Sequence, residues 1–181
     1  MISRAKTFLF ALLGVSAAVS FALACTGEAK RPDGGVGLLP VGASAPDVEA
    51  RDAQDNPVRL SAMRGRPVIV YFYPKDETPG CTKEACAFRD TWTKFEQAKV
   101  NVIGVSRDSV ESHKKFSVHH KLPFPLAADE DGHAQSAYGV SSFLGLSSRV
   151  TFLIGADGKV LRVWPDVDPA VHADEVLAAA Q

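Results

Sequence analysis

Apolar residues along positions 43–181 recur at two periods, and the switches between them mark out the elements. "DVEARDAQDNPVRL" (47–60) predicts two short strands around a turn at Asp55-Asn56-Pro57. Pro67 to Tyr73 is an unbroken run of strand formers, as a central strand covered on both faces requires. From Cys81 onward, Ala85, Phe88, Trp92 and Phe95 recur at spacings of three and four, which is one buried helical face. Val100–Ser106 is a second buried strand, and a helix near 109–120 follows it. Asp131-Gly132 opens a short helix ending near Tyr138. Val150–Ile154 and Lys159–Trp164 flank Asp157-Gly158, a strong hairpin signal, and residues 171–180 close the chain as a helix. Strand, helix, strand, helix, hairpin and helix in that order predict one α/β domain, a central mixed sheet with helices on both faces.

The pattern differs before residue 43. Arg4 and Lys6 precede a largely apolar run from Phe8 to Ala24, which reads as an export signal. A retained membrane helix is the alternative, since 17 residues lie at the short end of what spans a bilayer. Ala22-Leu23-Ala24-Cys25 resembles a bacterial lipoprotein cleavage site, which implies cleavage before Cys25 and acylation of its thiol. The same residues also fit ordinary signal cleavage; a cysteine placed at the cut favours the lipoprotein. Residues 25–42, with five glycines and two prolines, read as a flexible tether, which leaves 43–181 as the folded domain. This organisation places the domain in the bacterial cell envelope, on the periplasmic side, attached to a membrane only through Cys25.

Composition narrows function by exclusion. The chain has 181 residues, 46% hydrophobic and 23% charged, which suits one globular domain. A net charge of −1 gives no electrostatic footprint for nucleic acid. The chemistry must then lie in local groups, and the cysteines are the first candidates. With Cys25 assigned to the anchor, two of the three remain, Cys81 and Cys86.

Thr78 can serve as the N-cap of the helix that holds both, with Pro79 at N1 and Cys81 at N3. That position sets the Cys81 sulfur beside unpaired backbone N–H groups and the positive end of a helix dipole, where a thiolate is stabilised. Cys86 lies one and a half turns further along. Helix geometry separates the two Cα atoms by roughly 8.6 Å on nearly opposite faces, beyond the ~7 Å limit for a disulfide. A static staple would therefore need residues 81–86 to be non-helical, against the pattern. Metal binding has little support, because the spacing is not C-x2-C and the five histidines form no ligand pattern with it. His119-His120 are expected to point in different directions from a solvated helix face. Asp129–Gly132 reads as a capping turn, since Ala134 and Val140 stand where a calcium loop needs Gly and Glu.

Pro74-x-x-x-Thr78-x-x-Cys81 resembles the active-site signature of the peroxiredoxins. Thr78-Pro79-Gly80-Cys81-Thr82-x-Glu84-x-Cys86 with Phe88-Arg89-Asp90 is similar to their bacterioferritin-comigratory-protein, or PrxQ, subfamily. The likeness continues through Gly104-Val105-Ser106-x-Asp108-Ser109, Leu122–Leu126 and Arg149-x-Thr151–Ile154. The resemblance implies a thioredoxin-like fold and a thiol peroxidase without a cofactor, acting on hydrogen peroxide and organic hydroperoxides. It implies that Cys81 is the peroxidatic residue and Cys86 the resolving one, joined in an intramolecular disulfide during turnover. Thr78 would hydrogen-bond the peroxide and the thiolate, Pro74 would shield the sulfur, and Arg149 would hold thiolate and oxyanion. A thioredoxin-like dithiol would recycle the enzyme, and the intra-chain pair requires no dimer, so a monomer is expected. Two other readings stand beside this one: an envelope thiol–disulfide oxidoreductase, although the spacing is C-x4-C and no proline follows Arg149, and a lipid-anchored binding module with a static disulfide.

Overall fold

The computed structural model describes residues 29–181. The export signal, Cys25 and the first residues of the tether lie outside the described residues. Among the described residues no helix is long and apolar enough to cross a membrane.

A seven-stranded sheet forms the frame. Its strands are β1 (Glu49–Arg51), β2 (Pro57–Arg59), β3 (Val68–Phe72), β4 (Asn101–Ser106), β5 (Leu126–Ala128), β8 (Val150–Ile154) and β9 (Val160–Trp164), in the spatial order β2-β1-β5-β4-β3-β8-β9. β3, β4 and β5 run parallel, and the flanking strands pair antiparallel. All five residues of β3 and of β8 are buried, as their continuous apolar runs predict.

Alternation along β3 sends its residues to two cores. Ile69 and Tyr71 join Phe88 of α1 (Pro79–Asp90), Phe95 of α2 (Trp92–Ala98), Phe116 of α3 (Val110–His120) and Val176 of α5 (His172–Ala179). Val68, Val70 and Phe72 face the other way, toward Leu39, Leu60 and Tyr138, beyond α4 (His133–Ala137). Among the described residues helices thus cover both faces, four α-helices on one, and the short α4 with a 3-10 turn at Leu60–Met63 on the other.

Three local expectations change. The helix read through Phe95 is divided at Thr91, where the turn tightens, although Phe88 and Phe95 still pack at 5.7 Å across the break. β5 was hidden by Pro123 and Pro125, and a three-residue strand is too short to show a period. A two-stranded ribbon, β6 (Ser142–Phe143) with β7 (Leu146–Ser147), projects Phe143 and Leu144 into solvent.

The glycine-rich segment also departs from a flexible tether over residues 29–42. Leu39 is buried, its N–H bonds the Tyr138 carbonyl at 2.9 Å, and Gly42 N–H bonds the Val160 carbonyl at 2.8 Å. Arg31 Nη1 ties the turn by donating to the carbonyls of Gly37 (2.8 Å) and Leu38 (3.1 Å). Glycine here supplies close approach: a Cβ on Gly139 would lie 1.9 Å from the Gly37 carbonyl oxygen.

Candidate active site

The register of the sheet assembles the site. β3 pairs antiparallel with β8 so that Phe72 lies opposite Val150. Arg149, just ahead of β8, therefore sits at the end where β3 releases the loop into α1. α1 begins at Pro79 with Thr78 as its N-cap residue, which places Cys81 at N3. Its sulfur is almost fully buried, and Arg149 Nη2 lies 3.3 Å from it. Gly80 leaves space for that guanidinium, since a Cβ there would stand 3.3 Å from Nη2. Arg89, the other arginine near the motif, instead pairs with Asp90 and donates to the His120 carbonyl at 2.9 Å.

Glu84 completes the arrangement and was not among the sequence-derived site residues. It lies one turn beyond Cys81 on α1, fully buried, and accepts a bond from Arg149 Nη1 while its other oxygen has no hydrogen-bond partner. Burial raises its carboxyl to about 7, with Arg149 opposing the shift. Arg149 thus bridges the only two polar groups that α1 buries. Its own ionisation is pushed upward, because Glu84 and Cys81 together outweigh the burial that disfavours the cation.

Thr78 and Pro74 occupy the loop between β3 and α1, both half-buried. The Thr78 hydroxyl donates to the Lys75 carbonyl at 3.0 Å, so its proton is turned back into the loop rather than onto Cys81. Asp76 fixes the same loop. Its carboxylate accepts from Tyr73 Oη and Ser112 Oγ, each at 2.8 Å, and meets His113 Nδ1 at 2.9 Å. Its N–H donates to Asp108, which also accepts from Ser106. The Gly104–Ser109 stretch, marked in the sequence only by resemblance, therefore acts by holding this loop.

Cys86 faces the opposite way. Its sulfur lies 4.0 Å from His120 Nδ1 on α3, and both cysteines are free thiols. The static staple is thus not the state described, and the helical separation of the two thiols is retained. His119 and His120 do not diverge as expected. Their rings stack at 4.3 Å and both reach Glu77, because its two carboxylate oxygens draw them to one place. Asp129 caps α4 as the turn reading requires, accepting from the N–H groups of Ala134 and Gln135.

Residues 41–163 match the AhpC/TSA family. A chloroplastic peroxiredoxin Q from Sedum lineare is 46% identical over 143 residues, covering 77% of each chain. A putative peroxiredoxin bcp from Coxiella burnetii is 41% identical over 77% of this chain and 97% of its own. Among solved structures, the peroxidoxin BcpB of Mycobacterium tuberculosis superposes with a TM-score of 0.73 at 37% identity, covering 78% of this chain and 96% of that one. The Xanthomonas campestris bacterioferritin comigratory protein, studied for its alkyl peroxide reduction activity, gives 0.71 at 38%, covering 78% and 95%. At these identities the mixed sheet is the thioredoxin-like peroxiredoxin fold.

Proposed function

The chain belongs to the AhpC/TSA family as a peroxiredoxin of the Q type, a thiol-dependent peroxidase, and from that premise we propose that its chemistry runs through Cys81 with Cys86 as the resolving thiol. The observation that carries this reading is the buried Cys81 sulfur at N3 of α1 with Arg149 Nη2 3.3 Å away. Helix N–H groups and a guanidinium together favour a thiolate, and Arg149 is placed to receive the oxyanion that leaves.

The thiolate attacks the nearer peroxide oxygen, the O–O bond breaks, and its electron pair leaves with the distal oxygen as alkoxide or hydroxide, which takes up a proton. Cys81 is then a sulfenic acid. Cys86 attacks that sulfur, water departs, and a Cys81–Cys86 disulfide remains. A dithiol reductant of the thioredoxin class restores both thiols by exchange. Pro74 and Thr78 line the approach, Thr78 offering its hydroxyl proton once its bond to the Lys75 carbonyl is exchanged.

Organic hydroperoxides are the substrate class we favour. Gly145 and Leu146 of the exposed β6–β7 ribbon line a hollow with Pro74 and Lys75 of the active-site loop and with Arg107 and Asp108, and Phe143 and Leu144, just ahead of Gly145 in the chain, are exposed apolar side chains on the same ribbon. We place the enzyme in the bacterial envelope anchored at Cys25, a reading that rests on the N-terminal sequence, and as a monomer, because an intra-chain cysteine pair requires no dimer.

Single-turnover stopped-flow assays test the assignment. Cys81→Ser should abolish peroxide consumption, whereas Cys86→Ser should yield one sulfenic acid per chain and then stop. Comparable first turnovers for Cys81→Ser and wild type would overturn it.

A further inference from the structure

Beside Cys86 lies a second set of ligating side chains that the peroxidase reading leaves unused. Glu77, in the loop entering α1, meets His119 Nδ1 with one carboxylate oxygen at 3.1 Å and His120 Nε2 with the other at 3.0 Å. One ligand atom from each of the three residues lies within 4.8 Å of the others. Zinc takes nitrogen and carboxylate oxygen at about 2.0–2.2 Å in tetrahedral sites, which sets neighbouring ligand atoms roughly 3.3 Å apart. The two carboxylate–imidazole separations are close to that edge length, and the three ligand atoms, all within 4.8 Å of one another, need only a small further convergence. Glu77 also holds a left-handed backbone, φ 59°, a conformation that costs energy for a residue with a side chain and persists where its surroundings fix it.

We propose that Glu77, His119 and His120 form a site for a divalent transition-metal cation of the zinc class, with the fourth position left to water, and that the bound cation fastens the loop ahead of Cys81 to α3. Two nitrogens and one carboxylate with an open position are a ligand set zinc accepts. Binding displaces the protons that the imidazole nitrogens share with the carboxylate. With Nε2 of His120 on the metal, the ring proton resides on Nδ1, which faces Cys86 Sγ at 4.0 Å. A metal-bound imidazole donates its remaining N–H to a nearby acceptor, and here the acceptor is that sulfur. Arg89 steadies the same point by holding the His120 carbonyl at 2.9 Å. Occupancy therefore retains Cys86 in α1. That consequence, unlike the binding itself, rests on the reading of Cys86 as the resolving thiol: zinc should slow disulfide closure and leave peroxide attack alone.

The binding test uses the Cys81→Ser/Cys86→Ser protein, so that thiols cannot take the metal, titrated calorimetrically with Zn²⁺ at neutral pH. One Zn²⁺ per chain is expected, with affinity reduced about tenfold or more by Glu77→Gln and by His119→Ala. Both residues are exposed, so the fold should survive, and circular dichroism checks that it does. No bound zinc, or affinity unchanged in both variants, overturns the site. Zinc held by wild type but not by the double-serine protein places the metal on the thiols and overturns it equally. In wild type, saturating Zn²⁺ should slow closure about tenfold, and Glu77→Gln should abolish the slowing; closure unaffected by bound zinc overturns the fastening. Closure that fails without any zinc would instead count against Cys86 as the resolving thiol.

Discussion

Glu84 shows most clearly how a residue's surroundings set its chemistry. A carboxyl raised to about 7 from the usual 4.5 favours the protonated form in the folded chain. Its contribution to stability is therefore fully present below about 4.5 and is lost as pH rises through about 7. The loss amounts to roughly 3 kcal/mol across that window. Glu84→Gln does not titrate, so its melting temperature relative to wild type should climb between pH 4.5 and 7. Parallel melting profiles would show that the Arg149 ion pair fully compensates the buried charge. Arg149 itself should matter to rate: Arg149→Ala is expected to slow peroxide attack by roughly one to three orders of magnitude, and Arg149→Lys to restore it only in part, because a point charge lacks the planar fork. Cys81, Cys86 and Arg149 stood out as candidates because thiols and an arginine in those motifs have few other uses. Glu84 lies in the same motif as the cysteines, yet a glutamate in mid-helix reads as a solvated charge until the pairing of β3 with β8 brings an arginine over it.

At the level of elements, α1 must open for the two thiols to meet. Cys81 points to Arg149 and Cys86 to His120, on different neighbours of one helix. Hydrogen exchange over residues 79–90 should be slow in the reduced enzyme and fast in the disulfide form. Equal protection in both states would remove Cys86 from the cycle. The helical and strand periods gave α1, α3, β3, β4 and the β8–β9 hairpin, because each is long enough to repeat its pattern. They missed β5 and the β6–β7 ribbon, whose two or three residues contain no repeat and whose existence depends on partners. The ribbon offers its own test. Leu144→Ser is expected to lower kcat/KM for a bulky aryl hydroperoxide several-fold while leaving hydrogen peroxide reduction near the wild-type rate. Equal losses on both substrates would remove the exposed ribbon from substrate choice.

For the whole molecule, the segment just ahead of the sheet matters most. Composition assigned residues 25–42 to a flexible linker because glycine usually means freedom. Sequence could not reveal that Gly37 and Gly139 let two stretches of backbone approach, or that Leu39 would find the pocket beside Tyr138. Removing that side chain should cost about 2–5 kcal/mol, the range for deleting a buried leucine, whereas a free tether would tolerate it. Unfolding in urea distinguishes the two. Docking from residue 29 onward also shortens the leash. If Cys25 carries lipid, three residues separate it from residue 29, and four extended Cα–Cα steps reach about 14 Å. The lipidated enzyme would be held against the bilayer instead of sampling a wide volume. Wild type should then partition with membranes and carry an added lipid mass, and Cys25→Ala should remove both. A soluble wild-type protein that begins at Cys25 with a free thiol would show that ordinary cleavage releases it, and the docked segment would then serve stability alone.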